Sequence, residues 1–225
     1  MKGTIVNTGA VLAGGVLGAL LGSRVEERFK TTILHALGVA VIYIGLRMAL
    51  SAKSELLAVG CILLGAVTGE MLRIEDRVCL AGEWLKGRFR SSSPTFSEGF
   101  AAASILYVTG AMAIIGAIKD GVYGDPSVLY VKALLDGSAS IIFGSALGIG
   151  VAASALSVLL YQGAFTLLAG QLTFLEDPAV LSAVNGTGGL LVLAIGINLL
   201  GIVKIRTGNL IPGLFYAIIF ALNFG

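Results

Sequence analysis

Lys132 and Asp136 stand four residues apart inside an otherwise apolar stretch, and Ser140, Gly144, Gly148 and Ala152 continue the same spacing. On an α-helix that interval gathers residues on one face, so the carboxylate lies among glycines rather than toward lipid. An acid at membrane depth costs about 2.5–3.5 kcal/mol even on a lenient insertion scale. Two chemistries fit such a group. One is a structural Lys132–Asp136 ion pair near the outer interface. The other is a cation or proton site to which Ser138 and Ser140 add oxygen ligands.

A second constellation is Asn185-Gly186-Thr187-Gly188-Gly189. Each glycine weakens a helix by about 1 kcal/mol relative to alanine. An unwound segment here would free carbonyls for an ion or N–H groups for an anion; close helix packing is the other use of the same glycines. Gln162 is polar and central in its apolar segment, and Asn7 and Thr8 lie near the start of the first one. These amides either bond a neighbouring helix or face a cavity. His35, the one histidine, titrates near neutral pH or bonds across helices.

With one histidine and two cysteines, Cys61 and Cys79, neither a His-based metal centre nor a disulfide framework is expected. A Ser-His-Asp enzyme would depend on His35. There is no GxxxxGK[ST] phosphate loop, GxSxG elbow or HExxH pair, so neither an enzyme nor a cofactor is expected.

The elements that position these groups follow from composition. The chain is 56% hydrophobic and 12% charged, with mean hydropathy +0.96, against about 25% charged residues in soluble domains. Glycine contributes 32 of 225 residues, which suits helices packed backbone to backbone in lipid. A crossing needs about 20 mostly apolar residues. Eight segments qualify: 3–23, 31–50, 54–72, 100–118, 128–151, 153–172, 179–203 and 207–224, the last weakened by Asn209 and Pro212. The expectation is an all-α polytopic bundle of seven or eight spans forming a single integral membrane domain, 1–225.

Charge placement orients it. With the N-terminus outside, inner loops hold ten of the 15 basic residues: Arg24, Arg28, Lys30, Arg73, Arg77, Lys86, Arg88, Arg90, Lys204 and Arg206. The outer side holds Lys2, Lys53, Lys119 and Lys132, with Arg47 near it. The bias favours both termini outside. The single long loop, 73–99, carries Ile74, Val78, Ala81 and Leu85 at helical spacing, with Trp84, Arg88 and Arg90. It reads as an amphipathic helix on the inner surface, ended at Ser91-Ser92-Ser93-Pro94. Glu70 is read as an ion pair with Arg73, and the run from Lys119 to Pro126 as a connecting turn.

On the first span Ala10, Gly14, Gly18 and Gly22 make a packing stripe. Gly38–Gly45 on the second span matches Gly189–Gly196 on the seventh, and Gly22 and Gly60 match Gly170 and Gly213. Spans 1–3 and 6–8 would then form an inverted repeat, a plan common in transporters.

Asn7, Ala10-Val11, Gly14-Gly15 and Gly18, ending in Gly22-Ser23-Arg24, resemble the start of the domain-of-unknown-function 554 membrane proteins, the YqgA/YdfK-like proteins of bacteria. Gly69-Glu70, Asp120-Gly121, Gly124-Asp125, Lys132 with Asp136, Gln162-Gly163, Gly188-Gly189, and Asn209 with Pro212 extend the resemblance along nearly the whole chain. It implies a bacterial cytoplasmic membrane and supplies no substrate. The functional expectation is a passive or ion-coupled transporter or channel for a small ion or solute, in contact with lipid and not nucleic acid. A homo-oligomer is compatible with the glycine stripes. The alternative is a scaffold or regulatory membrane partner docking through 73–99. A lipid-acting enzyme ranks last, for want of a nucleophile–base pair.

Overall fold

The structure, a computed structural model, describes residues 1–23, 26–88 and 90–224, the side chains of Glu27, Lys30, Ala111 and Phe224 apart. Arg24, the end of the first glycine motif, lies outside the described residues, as does the side chain of Lys30. The helices are α1 (Lys2–Gly22), α2 (Glu27–Leu50), α3 (Glu55–Leu72), α4 (Ile74–Arg88), α5 (Phe96–Val108), α6 (Ala111–Ile118), α7 (Ser127–Leu147), α8 (Gly150–Leu167), α9 (Pro178–Leu199) and α10 (Pro212–Phe224). No strand occurs among the described residues.

Six of these helices are long and apolar enough to cross a membrane, seven crossings if the bent α5–α6 pair is one span. The eighth expected span is a shorter apolar helix, Thr207–Asn223. Its first turn is 3-10 and enters a polar cluster, which shortens what remains for lipid. Large side chains face outward along the spans: Leu134, Leu160 and Leu167 are 71%, 64% and 73% exposed. Such surface is stable only against lipid, and the chain is a polytopic all-α membrane protein.

The chain divides into two compact units: Met1–Leu34, Cys79–Val108 and Met112–Thr173 form one, and His35–Val78, Thr109–Ala111 and Phe174–Gly225 the other. In the first unit α1 runs parallel to α7, with Gly3 beside Leu129, Gly14 beside Gly137 and Gly22 beside Ser145. A Cβ on Gly14 or Gly18 would overlap the carbonyl oxygen of Gly137 or Ile141, so the two backbones touch. α8 is antiparallel to α1, with Gly15 against Ala152. The α7 stripe ends sooner than its spacing implies, because Gly148 takes φ 78° and caps the helix.

In the second unit α2 and α9 are antiparallel, with Gly38 against Gly196 and Gly45 against Gly189. The two stretches that resemble each other in sequence therefore lie face to face. α3 and α10 are also antiparallel, with Gly65 against Gly213.

These directions settle the α5–α6 break. α5 and α6 meet at 62°, which suits either one bent crossing or a loop that dips in and returns. For α7 to run parallel to α1, an odd number of crossings must separate them. With α2 and α3 each crossing once, α5–α6 supplies the third.

Candidate functional site

On α1 the buried positions include Gly3, Thr4, Asn7, Val11, Gly14, Gly15, Gly18 and Gly22, a single stripe at three- and four-residue intervals. Its glycine end draws α7 close. Its polar end then meets the polar residues of α7 and α8. Asn7 Nδ2 donates to Asp136 Oδ2 and to Gln162 Oε1, both at 3.1 Å. Lys132 Nζ lies 2.8 Å from Asp136 Oδ2 and 3.0 Å from Oδ1. The ion pair foreseen as one of two readings is thus formed. It is not at the membrane surface, however: at 1.5 Å per residue Asp136 sits about 14 Å into a helix about 31 Å long. Both side chains are buried.

Thr4 and Thr166 hydroxyls bond each other at 2.9 Å, and Thr166 Oγ1 donates to the Gln162 carbonyl at 2.7 Å. Ser140, one turn along α7 from Asp136, shares a 2.8 Å hydrogen bond with the Tyr107 hydroxyl of α5.

Two amide atoms in this cluster stay unpaired. Asn7 Oδ1 and Gln162 Nε2 are fully buried and have no hydrogen-bond partner among the described residues. Exchanging O and N on either amide would set like groups against each other, so the arrangement is fixed by its neighbours. Leaving a buried amide group unsatisfied costs about 1–3 kcal/mol.

The cluster has a lid of charge at one end. Asp120, expected in an exposed turn, is buried in a π-helical segment, Lys119–Tyr123. Its Oδ2 accepts from the Gly3 N–H at 3.0 Å and pairs with the Met1 amine at 2.8 Å. A carboxylate at the N-terminus of α1 complements the unpaired N–H groups and the helix dipole there.

The remaining expected residues lie elsewhere. Ser138, two residues and some 200° around the helix from Asp136, is exposed and bonds its own turn at the Leu134 carbonyl. It supplies no oxygen to the cluster. His35 is exposed on α2. Asn185 and Thr187 belong to the second unit, whereas Asp136 belongs to the first. The Asn185–Gly189 stretch is not unwound: α9 is helical throughout. Its glycines serve close contact instead, Gly186 against Ala52, Gly188 against the Thr109 carbonyl and Gly189 against Ala49. Asn185 Nδ2 donates to Ser51 Oγ at 2.7 Å. Thr187 Oγ1 is buried without a partner. A cavity of about 560 Å³ in this unit is lined by Lys53, Ser54, Leu57, Ser182 and Phe220 among others, and neither Asn185 nor Thr187 lines it.

Glu70 also departs from expectation. Its carboxylate takes Arg206 at 2.6 Å and Asn209 Nδ2 at 2.6 Å rather than Arg73. Arg73 instead adopts φ 51° as the cap of α3. Asn209 Oδ1 accepts from the Glu75 N–H at 2.7 Å, and Glu75 Oε2 accepts from the Gly208 N–H at 2.6 Å. This knot ties the α3–α4 corner to the start of the last helix. The surface helix expected between 73 and 99 is α4: Gly82 and Leu85 are buried, while Leu80 and Trp84 are 68% and 66% exposed.

Residues that sequence reasoning passed over are Asp120, Tyr107, Thr4 and Thr166. Thr4 had a signal, since it shares the α1 stripe with Asn7; the others depend on contacts distant in sequence. Among the described residues no group of three or more His, Cys, Asp or Glu could hold a metal ion.

The pattern that defines the family described as "Protein of unknown function (DUF554)" matches residues 2–222. The chain is 33% identical over 220 residues to "Uncharacterized protein YqgA" of Escherichia coli strain K12, covering 96% of this chain and 94% of that protein. It is 28% identical over 218 residues to "Uncharacterized membrane protein YdfK" of Bacillus subtilis strain 168, covering 95% and 93%. No solved structure matches.

Proposed function

We propose that this chain, which belongs to the DUF554 family, is a passive or ion-coupled transporter or channel for a small ion or solute. The observation that carries the reading is the Lys132–Asp136–Asn7–Gln162 cluster, buried inside spanning helices with two amide atoms left without partners. A purely structural ion pair needs no such surplus. Ionisable groups at membrane depth are costly, and they commonly mark solute or ion pathways. The α5–α6 break adds support, since interrupted helices accompany transport sites.

In this reading the site residues are Asn7, Lys132, Asp136, Ser140 and Gln162. The chain resides in a bacterial cytoplasmic membrane with both termini outside, and it catalyses no covalent reaction. Flux of a panel of ions and small metabolites into proteoliposomes tests it. The expected result is flux that Asp136→Asn abolishes and Ser138→Ala leaves unchanged. Flux unaffected by Asp136→Asn would remove the carboxylate from the mechanism.

The second reading, a scaffold without transport, draws on one observation: the outward Leu80 and Trp84 of α4. A partner that co-purifies with the full chain and is lost on Leu80→Ser/Trp84→Ser, without any flux, would favour it.

A further inference from the structure

The unpaired groups of the buried cluster bear on what it accepts. This argument rests on the transport reading of that cluster. As folded, the cluster carries one positive and one negative charge. Both carboxylate oxygens of Asp136 already face the Lys132 ammonium, at 2.8 and 3.0 Å, and Oδ2 also accepts from Asn7. A metal cation seeking oxygen ligands at about 2.3–2.6 Å would have to displace a like charge. Gln162 Oε1 is taken by Asn7, which leaves Asn7 Oδ1 as the one unpartnered side-chain oxygen of the two amides.

Donors are in surplus. Gln162 Nε2 has two N–H groups without a partner, and the ammonium has three donors for one carboxylate. Other charged or titratable groups around Asp136 are few. α1 and α8 present the neutral amides Asn7 and Gln162, and α5 presents Tyr107, held by Ser140. Asp120 is engaged by the Met1 amine and Gly3.

A donor-rich, charge-balanced site can take an anion only if a positive charge enters with it, because an uncompensated buried charge costs several kcal/mol. We propose that the cluster binds a small anion together with a proton. The proton adds to the Asp136 carboxylate, giving a neutral acid. The Lys132 ammonium, released from its partner, then pairs with the anion, and Gln162 Nε2 donates to it. The charge change sums to zero. Departure of anion and proton restores the Lys132–Asp136 pair.

The test uses the full chain in proteoliposomes with an entrapped pH-sensitive dye and the membrane potential clamped. Inward gradients of chloride, nitrate or phosphate are compared with gradients of sodium or potassium carrying gluconate. The expected result is luminal acidification driven by at least one of the three anions. Asp136→Asn abolishes it. Gln162→Glu, close in shape but with its donors replaced by an acceptor, lowers anion affinity about tenfold or more, equivalent to losing one charge-assisted hydrogen bond. The double variant Lys132→Met/Asp136→Asn, charge-free and near-isosteric, controls for folding.

Proton movement driven by sodium or potassium and not by any of the anions would overturn the anion assignment while leaving transport standing. So would anion-driven acidification unchanged in both single variants. Absence of flux for all five species would overturn the assignment, and absence across the wider solute panel would remove the transport reading itself.

Discussion

Replacing Lys132 by Met removes one charge from a buried pair and leaves the shape of the side chain nearly unchanged. At the observed 2.8 Å and an effective dielectric of about 20, the lost attraction is about 6 kcal/mol before desolvation. Breaking a buried pair from one side costs about 3–5 kcal/mol net, since Asp136 keeps only the Asn7 hydrogen bond. Little discount for solvent applies, because the two side chains are 8% and 10% exposed. For a chain of this length each kcal/mol lowers the melting temperature by about 2–4 °C, so the single variant should melt on the order of 10 °C below the parent. Adding Asp136→Asn removes the stranded charge and keeps an acceptor for Asn7. The double variant should recover most of the loss, as a coupled pair does in a double-mutant cycle. Thermal unfolding in detergent, followed by helical circular dichroism, measures all four proteins. A single variant as stable as the parent, or a double variant no better than the single, would refute the assignment of these groups as a buried pair.

Three further outcomes follow from the same geometry. Gly18→Ala should cost about 1–3 kcal/mol, because the new methyl meets the Ile141 backbone, whereas Gly9→Ala, with nothing within 4 Å, should gain about 0.5–1 kcal/mol; paired melting curves compare them. Asn209→Ala should cost about 1–3 kcal/mol and loosen the α3–α4 corner, seen as faster hydrogen exchange at the Glu75 amide, whose N–H it holds at 2.7 Å. Asp120→Asn should weaken the start of α1 by about 1–2 kcal/mol, read as faster exchange at the Gly3 amide with little change at Gly18.

The helical membrane class and the boundaries of α1, α2 and α3 were legible, because a long apolar run has few other fates. The face of α7 was legible too: the four-residue rhythm puts Asp136 and Ser140 inward, and the same rhythm should have placed Ser138 outward. What local pattern could not carry is the use of each glycine. Asn185–Gly189 and Thr109-Gly110 both contain helix-weakening residues. The first remains helical because α2 and Thr109 pack directly on its glycines, while the second, with one glycine, breaks. The difference lies in what each stretch packs against. The same holds for Glu70, whose nearest cation in sequence is Arg73 but whose partner in space is Arg206. Asp120 looked like a loop acid because nothing near it in sequence shows that the N-terminus of α1 ends there.

The long-range pairing of α1 has a consequence for how the chain is made. Asn7 and Gln162 are 155 positions apart. At about 5–20 residues per second, the ribosome takes about 8–30 s to deliver the second after the first. For that interval the opening helix resides in the bilayer with its Asn7 and Thr4 side chains lacking the partners that later cover them. Its docking is therefore a late event, completed after α7 and α8 have both been inserted. Nascent chains halted before Gln162 should expose the α1 stripe to membrane-embedded quality-control proteases, and halting just beyond Thr166 should end that exposure.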